Sequence, residues 1–265
     1  MDLQLRGRRA IVTGASRGIG LAVAHALAGE GVDVALVARH RDALDAATAQ
    51  VARHGTRAVG LVADTASDDD VRAMVAAAVE ELGGVDILVN AAARPASAGP
   101  TPALTELTDD AVRVELETKL LGYLRCARAA APHLVAQGWG RIINISGLNA
   151  RRSASLVGSV RNVAVAAMTS ALADELGPRG VTVTVVHPGF TVTERTPGMI
   201  AGMASEQGIS EEDAAARLAS STSIGRLVTA AEVADVVTFL ASPRSIAING
   251  DAVAAGGGSP GTTHY

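Results

Sequence analysis

The sequence predicts an α/β protein built on a doubly wound, seven-stranded parallel sheet and folded as a single domain over residues 1–265. Three observations carry that prediction. Short apolar runs alternate with helix-period segments from one end of the chain to the other. Those runs are apolar almost throughout, as strands covered on both faces must be. The connections are short, and no repeat or low-complexity linker divides the chain. At 48% hydrophobic and 19% charged, the 265 residues supply a large core. With one Trp, two Tyr and two Phe, that core must be filled by Val, Ala, Leu and Ile.

The strand candidates are, in order, "RAIVTG", "DVALVAR", "RAVGLVAD", "VDILVNA", "GRIINIS", "VTVTVVHPG" and "GDAVAAGG". Each is short, rich in Val, Ile, Leu or Ala, and bounded by Gly, Asp, Asn or Pro. Helical spacing of apolar residues predicts helices over Ile19–Ala28, Arg41–Arg53, Val71–Leu82, Asp109–Ala136 and Ser155–Leu176. The segment Thr191–Thr222 mixes Gly, Met and charge without a strand signal. It reads as a lid inserted at the carboxyl edge of the sheet, where such folds take ligands.

Bulk properties narrow the function. A net charge of −4 without a basic run argues against nucleic acid as a partner. The lone Cys126 cannot form an internal disulfide, which fits a reducing compartment. The start "MDLQLRGRRAIV" has no signal-peptide hydrophobic region, and no apolar run reads as a membrane span. These features lead us to expect a cytoplasmic protein with a small-molecule substrate and no membrane partner.

"TGASRGIG" (Thr13–Gly20) joins the first strand to the first helix. Gly14, Gly18 and Gly20, with Ser16, Arg17 and Ile19 between them, suit a tight turn whose backbone can approach a pyrophosphate. The helix N-terminus behind it offers free N–H groups and a favourable dipole. Such a turn alone also serves plain helix–strand packing; its place after the first strand favours a dinucleotide site (Rossmann-type). The second strand ends in Arg39, where a site for an unphosphorylated ribose would carry an acid. Arg39 and Arg17 suit a 2′-phosphate, which favours NADP(H) over NAD(H); the plain alternative is two surface arginines.

With these motifs the chain resembles the short-chain dehydrogenase/reductase family almost end to end. "TGASRGIG" is similar to that family's TGxxxGxG turn. "VNAAA" stands where the family has NNAG, keeping Asn90 but placing Ala91 and Ala93 at the second Asn and the Gly. The resemblance implies that Asp64, followed by Thr65, meets the adenine. It further implies that Pro188, Gly189, Val192 and Thr193 of "HPGFTVT" lie beside the nicotinamide. It also implies a homotetramer or homodimer, with the Ser155–Leu176 helix and the last strand at interfaces.

The family's chemistry uses an Asn, a Ser, and a Tyr followed four residues later by Lys. This chain contains no Tyr-x-x-x-Lys: Tyr123 is followed at the fourth position by Ala127, and Tyr265 is the last residue. Counting from flanking motifs puts Gly158 at the tyrosine position, Asn162 at the lysine, Gly147 at the serine beside Ser146, and Lys119 at the asparagine. Lys119 is the only lysine among 23 basic Lys and Arg residues. It falls inside the apolar stripe Val112, Leu116, Leu120, Tyr123, Ala127, Ala130 and Leu134. An amine facing an interior is costly unless paired, hydrated or neutralised. Spacing of four sets Tyr123 beside it, so a Lys119–Tyr123 pair is a candidate replacement for the missing acid. The candidate catalytic residues are therefore Lys119, Tyr123, Ser146 and Asn162. The plain alternatives are that Lys119 snorkels or donates to a carbonyl, that Tyr123 packs between subunits, and that Ser146 caps the strand. His187 reads as a packed histidine; Arg151, Arg152 and Arg161 as solvated or ion-paired, unless a pocket turns them to an anionic substrate.

Three functions remain open at this point. The first is an NADP(H)-dependent oxidoreductase acting on a small carbonyl or alcohol with a non-standard proton donor. The second is a non-redox lyase or isomerase that uses Lys119 as base or Schiff-base former. The third is a non-catalytic NADP(H)-binding protein, acting as a sensor or a partner subunit.

Overall fold

The computed structural model describes residues 1–93, 103–153 and 155–261; the terminal Tyr265 lies outside them. Apolar runs of four to six residues in the first half form β1 (Arg9–Thr13), β2 (Asp33–Ala38), β3 (Ala58–Val62) and β4 (Ile87–Asn90). They alternate with α1 (Gly18–Gly29), α2 (Arg41–Val51) and α3 (Asp68–Leu82). Ser67 caps α3 by accepting the Asp70 N–H, and Asp68, Asp69 and Asp70 complement the helix dipole.

The second half begins with α4 (Asp109–Leu116), which leads through a π turn (Glu117–Leu121) into α5 (Gly122–Ala136). Then come β5 (Gly140–Ile145), α6 (Leu156–Leu176) and β6 (Val181–Pro188). β7 (Thr191–Val192), α7 (Thr196–Gln207), α8 (Glu211–Ser220), β8 (Val228–Thr229), α9 (Ala230–Ala241) and β9 (Ala252–Ala255) complete the chain.

Seven strands form one parallel sheet in the order β3-β2-β1-β4-β5-β6-β9. Alternate residues of β1 face opposite layers: Ala10 and Val12 join the cluster under α1, α2 and α9, while Ile11 joins the one under α3, α5 and α6. The strand order reverses between β1 and β4, whose carboxyl ends Thr13 and Asn90 are register partners. A crevice opens at that point because the crossover helices leave the sheet in opposite directions.

Three expectations need correction. The helix Asp109–Ala136 is not uniformly α-helical: the Gly122 N–H reaches the Glu117 carbonyl five residues back, and the chain widens there. The segment Thr191–Thr222 does contain a strand, since β7 pairs with β8. The third concerns membrane length. One helix, Leu156–Arg179 with its 3₁₀ extension, is long and apolar enough to cross a membrane by length and composition. The outward face of α6 carries exposed Leu156, Val160 and Val163 where a surface helix would carry charge. In this fold α6 packs along β6.

Candidate functional site

The β1–α1 turn is shaped by its glycines. Gly14 has φ +68°, and a Cβ there would stand 2.8 Å from the Ala91 carbonyl oxygen; one on Gly20 would stand 2.3 Å from the Gly14 oxygen. Both positions therefore exclude a side chain. At the start of α1, Arg17 provides no side-chain cap and the first turn has no acid, so the positive helix end is left uncompensated by its own side chains. Beneath the turn, the Thr13 hydroxyl accepts the Ala91 and Ala92 N–H groups at 3.1 and 3.2 Å and fixes the chain leaving β4.

Above these strand ends lies a cleft of about 330 Å³. Gly14, Ser16, Arg17, Gly18, Ile19 and Gly20 line its turn side. Arg39, Asp64, Thr65 and Ala91 line the far strand ends, and Thr193 the side toward α7. Arg17 and Arg39 are exposed, and among the described residues neither forms an ion pair. This arrangement fits a dinucleotide: a glycine cradle against a helix N-terminus for the diphosphate, and two uncommitted guanidiniums for a further phosphate.

Lys119, Tyr123, Ile145 and Ser146 form the other end of the cleft. The π turn aims Lys119 inward, and it is 5% exposed. Its Nζ donates to the Ser146 carbonyl at 2.8 Å and to Asn162 Oδ1 at 3.1 Å. Desolvation, with a smaller contribution from the Arg161 charge, lowers its pKa to about 7 against a weaker opposite pull from Glu115. An ammonium has three N–H donors. Two are tied to fixed acceptors; the third has no partner among the described residues, and the side chain lines the cleft.

The other candidates are placed differently. Tyr123 is fully buried inside its own chain, and its hydroxyl donates to the Ile145 carbonyl at 2.9 Å. Burial pushes its pKa far above the usual phenol range. The expected Lys119–Tyr123 pair is thus not made: the two side chains bond successive carbonyls of the β5 end, Ser146 and Ile145. The Ser146 hydroxyl donates to the Asn162 carbonyl at 3.1 Å. Asn162 is buried beneath Lys119 and is not part of the cleft lining.

Asn90 also lies below the cleft, where its Nδ2 donates to Asn144 Oδ1 at 2.9 Å, and Asn144 in turn donates to the Thr169 hydroxyl. Pro188, Gly189 and Val192 stop short of the lining. His187 Nδ1 accepts the Gly147 N–H at 3.4 Å, and burial foremost lowers its pKa to about 4. Cys126 stays a thiol, its pKa raised to about 12 by burial.

Sequence reasoning missed His40, Thr118, Glu194 and Arg195, all of which line the cleft. Each is one or two positions from a predicted site residue, so adjacency was the only signal. The π turn left no signal in composition or periodicity.

Comparison with known proteins agrees with the fold. The family described as short chain dehydrogenase matches residues 8–203. The short-chain reductase protein NovJ of Streptomyces niveus is 38% identical over 95% of this chain and 93% of its own length. Among solved structures, L-sorbose reductase from Gluconobacter frateurii, complexed with NADPH and L-sorbose, superposes with a TM-score of 0.91. It is 28% identical, with 99% of this chain and 100% of that chain covered. An actinorhodin polyketide ketoreductase variant with NADPH gives 0.87 at 33% identity, covering 94% and 96% of the two chains. A xylitol dehydrogenase with NAD+ bound gives 0.87 at 25%, covering 96% and 100%.

Proposed function

The chain belongs to the short-chain dehydrogenase/reductase family, and from that premise we propose that it is an NADP(H)-dependent oxidoreductase acting on a small carbonyl or alcohol compound, with Lys119 handling the proton. The observation that carries the reading is the Lys119 amine at the cleft, held by two carbonyl-type acceptors with one direction left over. When bound, the dinucleotide supplies or takes the hydride.

The chain's own residues do the rest. Gly14, Gly18 and Gly20, with Ser16 and Ile19, cradle the diphosphate at the α1 N-terminus. Arg17 and Arg39 hold the 2′-phosphate, and NADPH in two solved relatives supports that preference. Asp64, Thr65, Ala91 and Thr193 line the remaining path. Asn90 holds the strand ends from beneath, while Pro188, Gly189 and Val192 carry the chain to Thr193.

In the reducing direction Lys119, as the ammonium, gives its free proton to the substrate oxygen. In the other direction the neutral amine keeps both N–H bonds to Ser146 and Asn162 and presents its lone pair to the cleft. A pKa of about 7 suits either task near neutrality. By the counting from flanking motifs, the chain exchanges the family's Asn and Lys: the amine stands on the π turn and the amide on α6. Tyr123 and Ser146 serve this arrangement by fixing the β5 end rather than by moving protons.

The segment from Thr191 to Thr222 acts as the lid. Leu156, Val160 and Val163, exposed along one face of α6, serve association with a second copy. NADPH consumption across a panel of ketones, aldehydes and quinones, with wild type beside Lys119→Met, tests the reading. Turnover that survives unchanged in the variant would refute the role of Lys119.

A second reading is a non-catalytic dinucleotide-binding subunit. It is favoured by the commitment of the Tyr123 hydroxyl, the one phenol among the described residues, to a backbone carbonyl. Tight NADPH binding without turnover of any substrate would establish it over the first.

A further inference from the structure

Lys119 lies in a charge environment that the proposed reaction does not by itself explain. Glu115 stands one helical turn before it on α4, and Arg161 precedes its hydrogen-bond partner Asn162 on α6. Arg161 Nη1 and Glu115 Oε2 are in direct contact, with side chains only 15% and 26% exposed. The Nε of Arg161 is buried and has no hydrogen-bond partner among the described residues, so Glu115 holds this guanidinium through Nη1 alone.

We propose that Glu115 and Arg161 are a positioning pair that adjusts the charge balance of Lys119 beyond what its burial does, one pulling toward the ammonium and the other toward the amine. The pair joins α4 to α6 across the turn that carries Lys119, so its two opposite fields act on the same amine. Each field is strong there because water is largely excluded. Arg161 favours the neutral amine and Glu115 the ammonium, in agreement with the directions in which each moves the lysine.

The other groups facing Lys119 do not compete for this role. Ser146 and Asn162 are uncharged, the Tyr123 phenol is held neutral, and His187, with Arg151 and Lys119 both acting against its protonation, is neutral above about pH 4. Glu117 and Arg125, on the π turn and the following helix, neutralise each other at 2.5 Å. The catalytic consequence rests on the reading of Lys119 as the proton-handling group; the electrostatic claim stands on the ion pair alone.

Because Lys119 is the only lysine in the chain, lysine-selective isotope labelling yields a single side-chain signal whose pH titration can be followed by NMR on the intact protein. Glu115→Gln leaves Arg161 unopposed and is expected to lower the titration midpoint by about one pH unit. Arg161→Gln leaves Glu115 unopposed and is expected to raise it by a similar amount. The double variant returns it toward wild type, and Glu115→Asp, which keeps the charge, leaves it in place. If only the glutamate variants fold, the contrast between Gln and Asp decides the matter. Midpoints that stay put, or that move the same way in both single variants, overturn the proposal. The predicted shifts without turnover would instead retire the oxidoreductase reading while leaving this pair's role intact.

Discussion

Lys119 on the π turn and Asn162 on α6 meet 3.1 Å apart, Nζ to Oδ1, across 43 residues of chain. The Ser146 carbonyl, 2.8 Å from the same amine, completes a two-acceptor cradle. This cradle fixes where the one lysine of the chain ends, and with it the proton chemistry open to the cleft.

Lys119 should cost the fold stability below neutrality. Its folded pKa of about 7 lies under the usual 10.5, so between those values the unfolded chain binds a proton that the folded chain does not. Stability attributable to this residue therefore rises with pH through that window, by on the order of 5 kcal/mol at full effect, and is flat below it. Lys119→Met is expected to be most favourable relative to wild type near pH 6 and least near pH 10. Denaturant melts at several pH values measure this, and a difference that does not change with pH would contradict the burial argument.

The pH profile of catalysis should follow the same group. In the reducing direction kcat/KM is expected to fall as pH rises above about 7, as the ammonium is lost. In the oxidising direction it should rise over the same range. Lys119→Met is expected to lower turnover by about two to four powers of ten while leaving NADPH affinity within a few-fold. Steady-state kinetics and calorimetry separate the two effects.

The cofactor end makes an independent prediction. Gly14→Ala forces a Cβ to 2.8 Å from the Ala91 oxygen at a positive φ, so the turn must shift. We expect a cost of about 1–3 kcal/mol in stability together with weakened dinucleotide binding. Arg39→Ser should leave the fold intact, because Arg39 is exposed and makes no ion pair among the described residues. It should reduce the preference for NADPH over NADH by about tenfold or more, in line with the loss of a charge-assisted phosphate contact. Isothermal titration with each coenzyme reads both changes.

Tyr123→Phe tests whether the phenol is structural. The substitution removes the 2.9 Å bond to the buried Ile145 carbonyl and should cost about 1–3 kcal/mol of stability. Activity per folded molecule should change little. A loss of a hundredfold or more in a well-folded variant would return Tyr123 to the catalytic group.

Much of the architecture was legible in the chain because it depends on local pattern. Short β-branched runs such as "VTVTVVHP" suit strands buried on two faces, and β6 is buried along its whole length. "TGASRGIG" declared its turn because only glycine tolerates φ +68° with a carbonyl 2.8 Å from the Cβ position. The apolar stripe over Asp109–Ala136 also placed Lys119 on an interior face, where it is found. The same helical wheel misjudged its neighbour. It assumed 3.6 residues per turn through Glu117–Leu121, where the chain winds more loosely, and so it paired Lys119 with Tyr123.

The sequence by itself determined the layers, the glycine turn and the interior address of its single lysine, since these follow from periodicity, backbone sterics and the cost of burying charge. Only the tertiary structure decided the partners. Asn162 and the Ser146 carbonyl reach Lys119, and Arg161 meets Glu115, through crossovers that bring α6 and the β5 end against the π turn. Hydrogen bonds between groups tens of residues apart depend on how strands order in the sheet and on a local change of helical winding. Neither is written in the spacing of residues along one segment.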